Sequence, residues 1–315
     1  MRRLFFVPQL PVDGRYTKWW ITKFVEEFKT RFDEVIVLGE DLINKLEDNR
    51  QDFKEFTNIE NSTVLELAQI EDYLDINPSC NDVLFFADLS FPGIFANVLY
   101  TKPFIGKTFA FCHATSKNKY DIFSDIRKSK FKTETAHAML FDKIFVGSYY
   151  HKDKLGWPNI EVVRLPKPPP SIISKHHVEK IYNIISTARP TPQKVNLKLE
   201  KRIGNQVGSK IIRKEFTDPE EYSLFLSKAK TMLITSNEET FGYTVMDSII
   251  CGTVPIAPRG LCFREILPDE YLFDDHIEAS QIIRKVLLGN LDVPVMKCDD
   301  EVNNFFNNIC NIMKS

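Results

Sequence analysis

The residues best suited to chemistry lie between Met232 and Ala257, in MLITSNEETFGYTVMDSIICGTVPIA. An apolar run, Met232 to Ile234, breaks into a polar Ser-Asn-Glu-Glu turn. Gly242 then opens a helical pattern with apolar Val245, Met246, Ile249 and Ile250, and Gly252 closes it before a second strand-like run, Val254 to Ala257. The order strand, loop, helix, strand is one unit of a parallel α/β sheet. A helix N-terminus exposes unpaired backbone N–H groups and partial positive charge, so Thr240, Phe241, Gly242 and Tyr243 suit a phosphate or an ionising oxygen. Glu239 precedes the helix and Asp247 follows eight residues later, a little over two turns on. Both carboxylates can then face the cleft above the strand's carboxyl end and grip ribose or sugar hydroxyls. The plainer alternative is a carboxylate offsetting the helix dipole and a surface Asp.

The pattern E-x-F-G, an acid eight residues after the first Glu, then G-T-x-P resembles the E-x7-E signature of retaining GT-B glycosyltransferases of the family-4 kind. Glu239, Phe241, Gly242, Asp247, Gly252 and Pro255 fill those positions. Upstream, NIISTARPTPQK supplies Arg189 and, five residues later, Lys194, similar to the basic pair in the family's first C-domain strand-to-helix turn. Two such side chains can clamp a diphosphate. Two departures stand out: Val195 follows the Lys where the family has Gly, and Asp247 replaces the usual Glu. The resemblance is good over Asn183 to Leu267 and weaker over the N-terminal half.

The resemblance implies an α/β GT-B fold, two Rossmann-like domains with a cleft between them, and a nucleotide-diphosphate sugar as donor substrate. It implies retention of anomeric configuration by front-face attack without a covalent carboxylate, and no required metal or cofactor. Arg189 and Lys194 would neutralise the leaving diphosphate, with the N–H groups at Thr240 to Tyr243 adding dipolar stabilisation. Asp247 would take the ribose hydroxyls, Glu239 would orient the sugar, and Phe241 and Gly242 would let the backbone come close. His113, which ends the strand KTFAFC, stands where relatives place a His facing the transferred sugar; a loop histidine with a structural role is the alternative. Gly14, with Asp13, Arg15 and Tyr16, sits in the loop that relatives bring toward donor and acceptor.

Composition sets the frame. The 315 residues, 43% hydrophobic and 27% charged, suffice for two cored domains. No apolar run reaches membrane-span length. Pro8 and Pro11 interrupt the apolar start, which reads as a first strand rather than a signal peptide. The six cysteines form no C-x-x-C pair, which argues against a disulfide framework or zinc site and for reduced thiols in a cytoplasm, the host's if the chain is phage-encoded. A net charge of -2 gives no global polyelectrolyte signal.

Along the chain, strands are predicted at Arg3 to Val7, Glu34 to Leu38, Asp82 to Phe86, Lys107 to Cys112, Phe141 to Val146 and Ile160 to Leu165. In the second half they fall at Tyr182 to Ser186, Lys210 to Phe216 and Thr231 to Thr235. Helical spacing covers Thr17 to Phe32 and Pro219 to Lys228, and one helix is expected over Glu301 to Met313. The prolines from Pro166 to Pro170 mark a stiff connector. The expected domains are therefore 1–165 on the acceptor side, a linker at 166–179, a nucleotide-sugar-binding domain at 180–298, and a C-terminal helix at 299–315 crossing back to the first domain.

Acceptor residues would come from the first half: Arg15, Tyr16 and Trp19, with Lys128 and Lys130 in a basic, aromatic patch from Tyr120 to Lys132. Trp19, Trp20 and Phe24 also read as the buried face of the first helix, and the patch as a solvated helix face. Three functions stay open. The most specific is transfer to a hydroxymethylated pyrimidine in duplex DNA, since a compact GT-B chain with such a surface resembles bacteriophage DNA-modifying transferases; the base would be flipped out and an aromatic side chain would fill the gap. The others are transfer to a lipid, polysaccharide or small molecule, and non-catalytic binding of a nucleotide sugar.

Overall fold

A computed structural model describes residues 1–11, 16–45, 59–89, 93–118, 127–166, 178–188, 191–216 and 218–315, with backbone only at 16–18, 59–60 and 127–128. Its first elements are β1 (Arg3–Val7), α1 (Tyr16–Lys29), β2 (Glu34–Val37), α2 (Glu40–Lys45), α3 (Ile59–Asp75), β3 (Val83–Phe86) and α4 (Phe95–Thr101). Next come β4 (Lys107–Phe111), α5 (Arg127–Ala138), β5 (Lys143–Val146), α6 (Tyr149–Leu155), β6 (Ile160–Val162), β7 (Tyr182–Ser186), α7 (Leu197–Val207) and β8 (Ile211–Arg213). The last are α8 (Pro219–Ser227), β9 (Ala229–Leu233), α9 (Tyr243–Ile250), β10 (Val254–Pro258), α10 (Phe263–Ile266), β11 (Leu272–Phe273), α11 (His276–Leu287), α12 (Asp299–Asn303) and α13 (Phe305–Lys314).

Two compact units result. The first comprises 1–147, 152–163 and 304–315, and the second 148–151 and 164–303. The first unit holds a six-stranded sheet in the order β2-β1-β3-β4-β5-β6, with every pairing parallel. Its central strands are near-continuous apolar runs because both faces are covered. One face packs Phe5, Leu84, Phe86 and Ile144 in the main core. On the other, Phe6, Phe24 and Phe85 stack at 5.9 Å spacings. Phe305 of α13 closes over Phe24 and Phe111 at 5.6 and 5.9 Å.

The second unit holds a five-stranded sheet in the order β11-β10-β9-β7-β8, also wholly parallel. In each sheet the first strand lies between the second and third in sequence, so chain winding reverses beside it. In the second unit the reversal falls between β7 and β9. Connections from these two strands leave the carboxyl edge in opposite directions there and open a crevice.

The secondary structure departs from expectation at several places, among them the following. The strand over Lys210 to Phe216 is three residues long, because Phe216 turns to pack on Tyr222 and Phe225. β6 stops at Val162, and Arg164 adopts φ 44. The C-terminal helix breaks at Asn304 into α12 and α13, which fall in different units. Helix α7 was not foreseen: Asn196 caps its start by accepting from Leu199 N at 3.1 Å, and Gly208 ends it at φ 73.

Candidate donor site in the second unit

The crevice is built from two loops laced together. The chain leaving β7 forms a turn in which Lys194 and Val195 donate backbone N–H bonds to Thr191 O. The chain leaving β9 meets it: Asn237 N and Glu238 N donate to Gln193 O at 2.9 and 3.2 Å, and Asn237 Nδ2 donates to Pro192 O at 2.7 Å. Ser236 Oγ reaches Lys194 O at 3.2 Å, and Asn196 N donates to Thr235 Oγ1 at 3.0 Å. These bonds satisfy loop backbone that would otherwise be stranded. They also carry Lys194 to Glu239, whose side chains pair at 2.7 Å although 45 residues separate them in sequence.

Glu239 lies at the mouth of α9. Its Oε1 accepts from Thr240 N at 3.1 Å, and the Phe241 N–H is 3.5 Å away. Burial disfavours its charge, yet Lys194 and these two N–H groups outweigh burial and hold the carboxyl below its ordinary range. Gly242 brings the chain into the helix at φ 93, ψ 48. A Cβ there would stand 3.2 Å from Ile266 Cδ1 and 3.3 Å from Phe263 Cε1, so both its conformation and its space call for glycine. Phe241 is buried, with its ring edge-on to Tyr243 at 5.3 Å. Around this corner Ser148 Oγ donates to Thr240 O at 2.5 Å, and Glu265 accepts from Tyr149 N, Tyr150 N and Arg164 Nη1.

Beneath the loops lies a polar post that sequence reasoning missed. Glu200 of α7 is buried, accepting from Ser186 Oγ at 3.0 Å and Thr235 Oγ1 at 3.2 Å while pairing with Arg213. It joins the ends of β7, β8 and β9. In sequence it is one more charged residue in LKLEKRIGNQV, with no local sign of burial.

The expected site residues divide. Lys194, Glu239, Thr240 and Phe241 come together, with Gly242 setting the turn. Asp247, in the second turn of α9, has a partner of its own: its Oδ2 accepts from the Tyr222 hydroxyl at 3.0 Å. Tyr243 directs its hydroxyl to Pro166 O at 3.4 Å. Arg189, Gly14 and Arg15 lie outside the described residues, as does the connector from Lys167 onward.

In the first unit His113 follows β4, its Nε2 at 3.1 Å from Ala87 O and its ring 4.7 Å from Trp20. Trp20 and Phe24 are buried, whereas Trp19 is half-buried. Trp20 is therefore core rather than a side chain free to stack on a nucleobase. Tyr16 begins α1, and Lys128 and Lys130 lie in the first turn of α5, with Lys130 half-buried. Among the described residues no group of His, Cys, Asp or Glu gathers as metal ligands, and no helix is long and apolar enough to cross a membrane. No disulfide joins the cysteines.

Comparison with known proteins places this architecture. The lipopolysaccharide outer core galactosyltransferase WaaB superposes with a TM-score of 0.62 at 12% identity, over 99% of this chain and 98% of WaaB. The UDP-forming α,α-trehalose-phosphate synthase of Burkholderia vietnamiensis gives 0.60 at 8% identity, over 100% and 98%. The chain has the GT-B glycosyltransferase fold. S. aureus TarM, in a complex that includes UDP, gives 0.51 at 16% identity over 78% of this chain, which spans about half of TarM (55%). In sequence, the Drosophila melanogaster tRNA-queuosine alpha-mannosyltransferase is 33% identical over 72 residues, 23% of this chain and about a fifth (19%) of that relative. No protein-family model matches.

Proposed function

We propose that the chain is a retaining glycosyltransferase that moves a sugar from a nucleotide-diphosphate donor to a hydroxyl on a modified nucleoside in nucleic acid. The observation that carries the donor half is the Lys194–Glu239 pair at the N-terminus of α9, beside the reversal between β7 and β9. Cation, backbone N–H groups and a hydroxyl-binding carboxylate stand together there, where open α/β sheets hold ligands. Lys194, with Arg189, neutralises the diphosphate as the anomeric C–O bond breaks. The Thr240 and Phe241 N–H groups stabilise the same charge, Glu239 orients the sugar, and Asp247 takes the ribose. The acceptor oxygen attacks the anomeric carbon from the face the diphosphate leaves and passes its proton to the departing phosphate oxygen, with no metal in the step. By the resemblance, His113 is assigned to the transferred sugar.

For the acceptor, a hydroxymethylated pyrimidine in phage DNA is the reading from the basic patch on α5. The similarity to a tRNA-queuosine mannosyltransferase supports a nucleoside hydroxyl in tRNA as a second reading. The test is a panel of nucleotide sugars assayed for nucleotide release alone, with duplex DNA carrying 5-hydroxymethylcytosine, and with queuosine-containing tRNA. Release stimulated by one polymer, with a hexose or pentose mass added to it, names donor and acceptor together. Release indifferent to both moves the acceptor to a lipid, polysaccharide or small molecule. No release with any donor refutes transfer and leaves a nucleotide-sugar binder.

A further inference from the structure

The assignment of Asp247 to the ribose raises a problem of reach, and the inference here rests on that donor-site reading. Aspartate is one methylene shorter than the glutamate expected at this position. The structure puts a second group beside it. The Tyr222 hydroxyl, from α8, donates to Asp247 Oδ2 at 3.0 Å. Tyr222 is itself fixed: its ring sits edge-on to Phe216 at 5.7 Å. Helix α8 is anchored by its Asp218 cap and Pro219 in its first turn. One phenol thus ties helix α8 to the acid of α9.

We propose that Tyr222 is a positioning residue of the nucleotide site: its hydroxyl holds the Asp247 carboxylate by one oxygen and so orients the other toward the ribose hydroxyls.

The electrostatics agree. Burial pushes the Asp247 carboxyl up to about 7, and the Tyr222 bond pulls against that rise. Burial and the neighbouring acid push the Tyr222 phenol well up, so it remains a donor at every working pH. The remaining titratable neighbours are Cys251 at the end of α9, pushed up to about 11 by burial and by Asp247, and Lys180, which faces Cys251. Ribose recognition by the ionised acid then strengthens as pH rises through about 7, and loss of the Tyr222 hydroxyl moves that midpoint upward.

The experiment titrates UDP, GDP and ADP, and their 2′,3′-dideoxy counterparts, into the full chain by calorimetry across neutral pH. Tyr222→Phe keeps the ring and removes only the bond. It should weaken the best-bound ribonucleotide about three- to tenfold, raise the pH midpoint, and leave the dideoxy counterpart within about twofold. Asp247→Asn should lose similar affinity, and adding Tyr222→Phe to it should cost little more, since the two act as one unit. Equal weakening of ribo and dideoxy ligands would reduce Tyr222 to a packing role, and unchanged ribonucleotide binding would remove it from the site; either result overturns the proposal while wild-type binding stands. Wild-type binding of none of the three diphosphates would instead refute the donor-site reading, and the role of Tyr222 with it.

Discussion

Replacing Gly242 by alanine tests the geometry on which the proposed donor site depends. The residue sits at φ 93, and an L residue in the left-handed region costs about 1–2 kcal/mol. The new Cβ would stand 3.2 Å from Ile266 Cδ1 and 3.3 Å from Phe263 Cε1, side chains that are 0% and 1% exposed. With neighbours so confined, overpacking adds about 1 kcal/mol. The lower entropy of the unfolded alanine chain returns about 0.4–1 kcal/mol. The net expectation is a loss of about 2 kcal/mol, which at a urea slope of about 2 kcal/mol/M lowers the unfolding midpoint by about 1 M. Two glycines of the same unit separate the contributions. Gly252 has φ 66 but only the Lys180 Nζ, 3.9 Å away, beside its Cβ position, so Gly252→Ala reports the backbone cost alone. Gly260 has open space and no positive φ, so Gly260→Ala should be near neutral. A Gly242→Ala midpoint no lower than that of Gly252→Ala would refute the claim that Ile266 and Phe263 leave no space for a Cβ at this turn. Nucleotide release should fall in the same variant, because the Thr240 and Phe241 N–H groups move with the turn.

Lys194→Met should abolish nucleotide release and also change how stability depends on pH. Glu239, now held below its ordinary range, contributes stability that is present above its unfolded pKa and lost as pH falls through the folded value. Without Lys194, burial dominates and its pKa rises. The urea-midpoint gap between variant and wild type should therefore be widest near neutral pH and close below about pH 4, where a protonated Glu239 needs no cation; a gap constant with pH would show that the pair is not electrostatically coupled. Glu200→Ala leaves Arg213 without its ion-pair partner and removes the acceptor of Ser186 and Thr235, and should cost about 3 kcal/mol in urea unfolding. A loss under about 1 kcal/mol would mean that the post beneath the loops is dispensable.

Much of this molecule is legible from short spans of chain. Strand β1 falls on its predicted residues, and so does β7, because a fully covered parallel strand needs an unbroken apolar run and RLFFV and YNIIS supply nearly that. Helix α9 is bracketed by Gly242 and Gly252, both at positive φ, so its ends show in the letters. Element length was less legible. Phe216 leaves the strand pattern to pack on an aromatic pair, and Asn304 divides a continuous helical pattern.

The sequence by itself determined which residues can stand at a strand-to-helix turn: acid, glycine and exposed N–H groups in a fixed order, with a lysine in a similar turn upstream. Those are local facts, set by helix geometry and the conformational freedom of glycine. Only the tertiary structure decided which of these groups meet. Pairing of β7 with β9 brings Lys194 to Glu239, the order β9-β7-β8 buries Glu200 among three strand ends, and packing of α8 on α9 sets the Tyr222 hydroxyl on Asp247. The reason is range: propensity acts over a few neighbouring residues, whereas a buried charge is fixed by whichever partner the sheet order carries to it, and nothing in the spacing of Glu200 or Tyr222 records that partner.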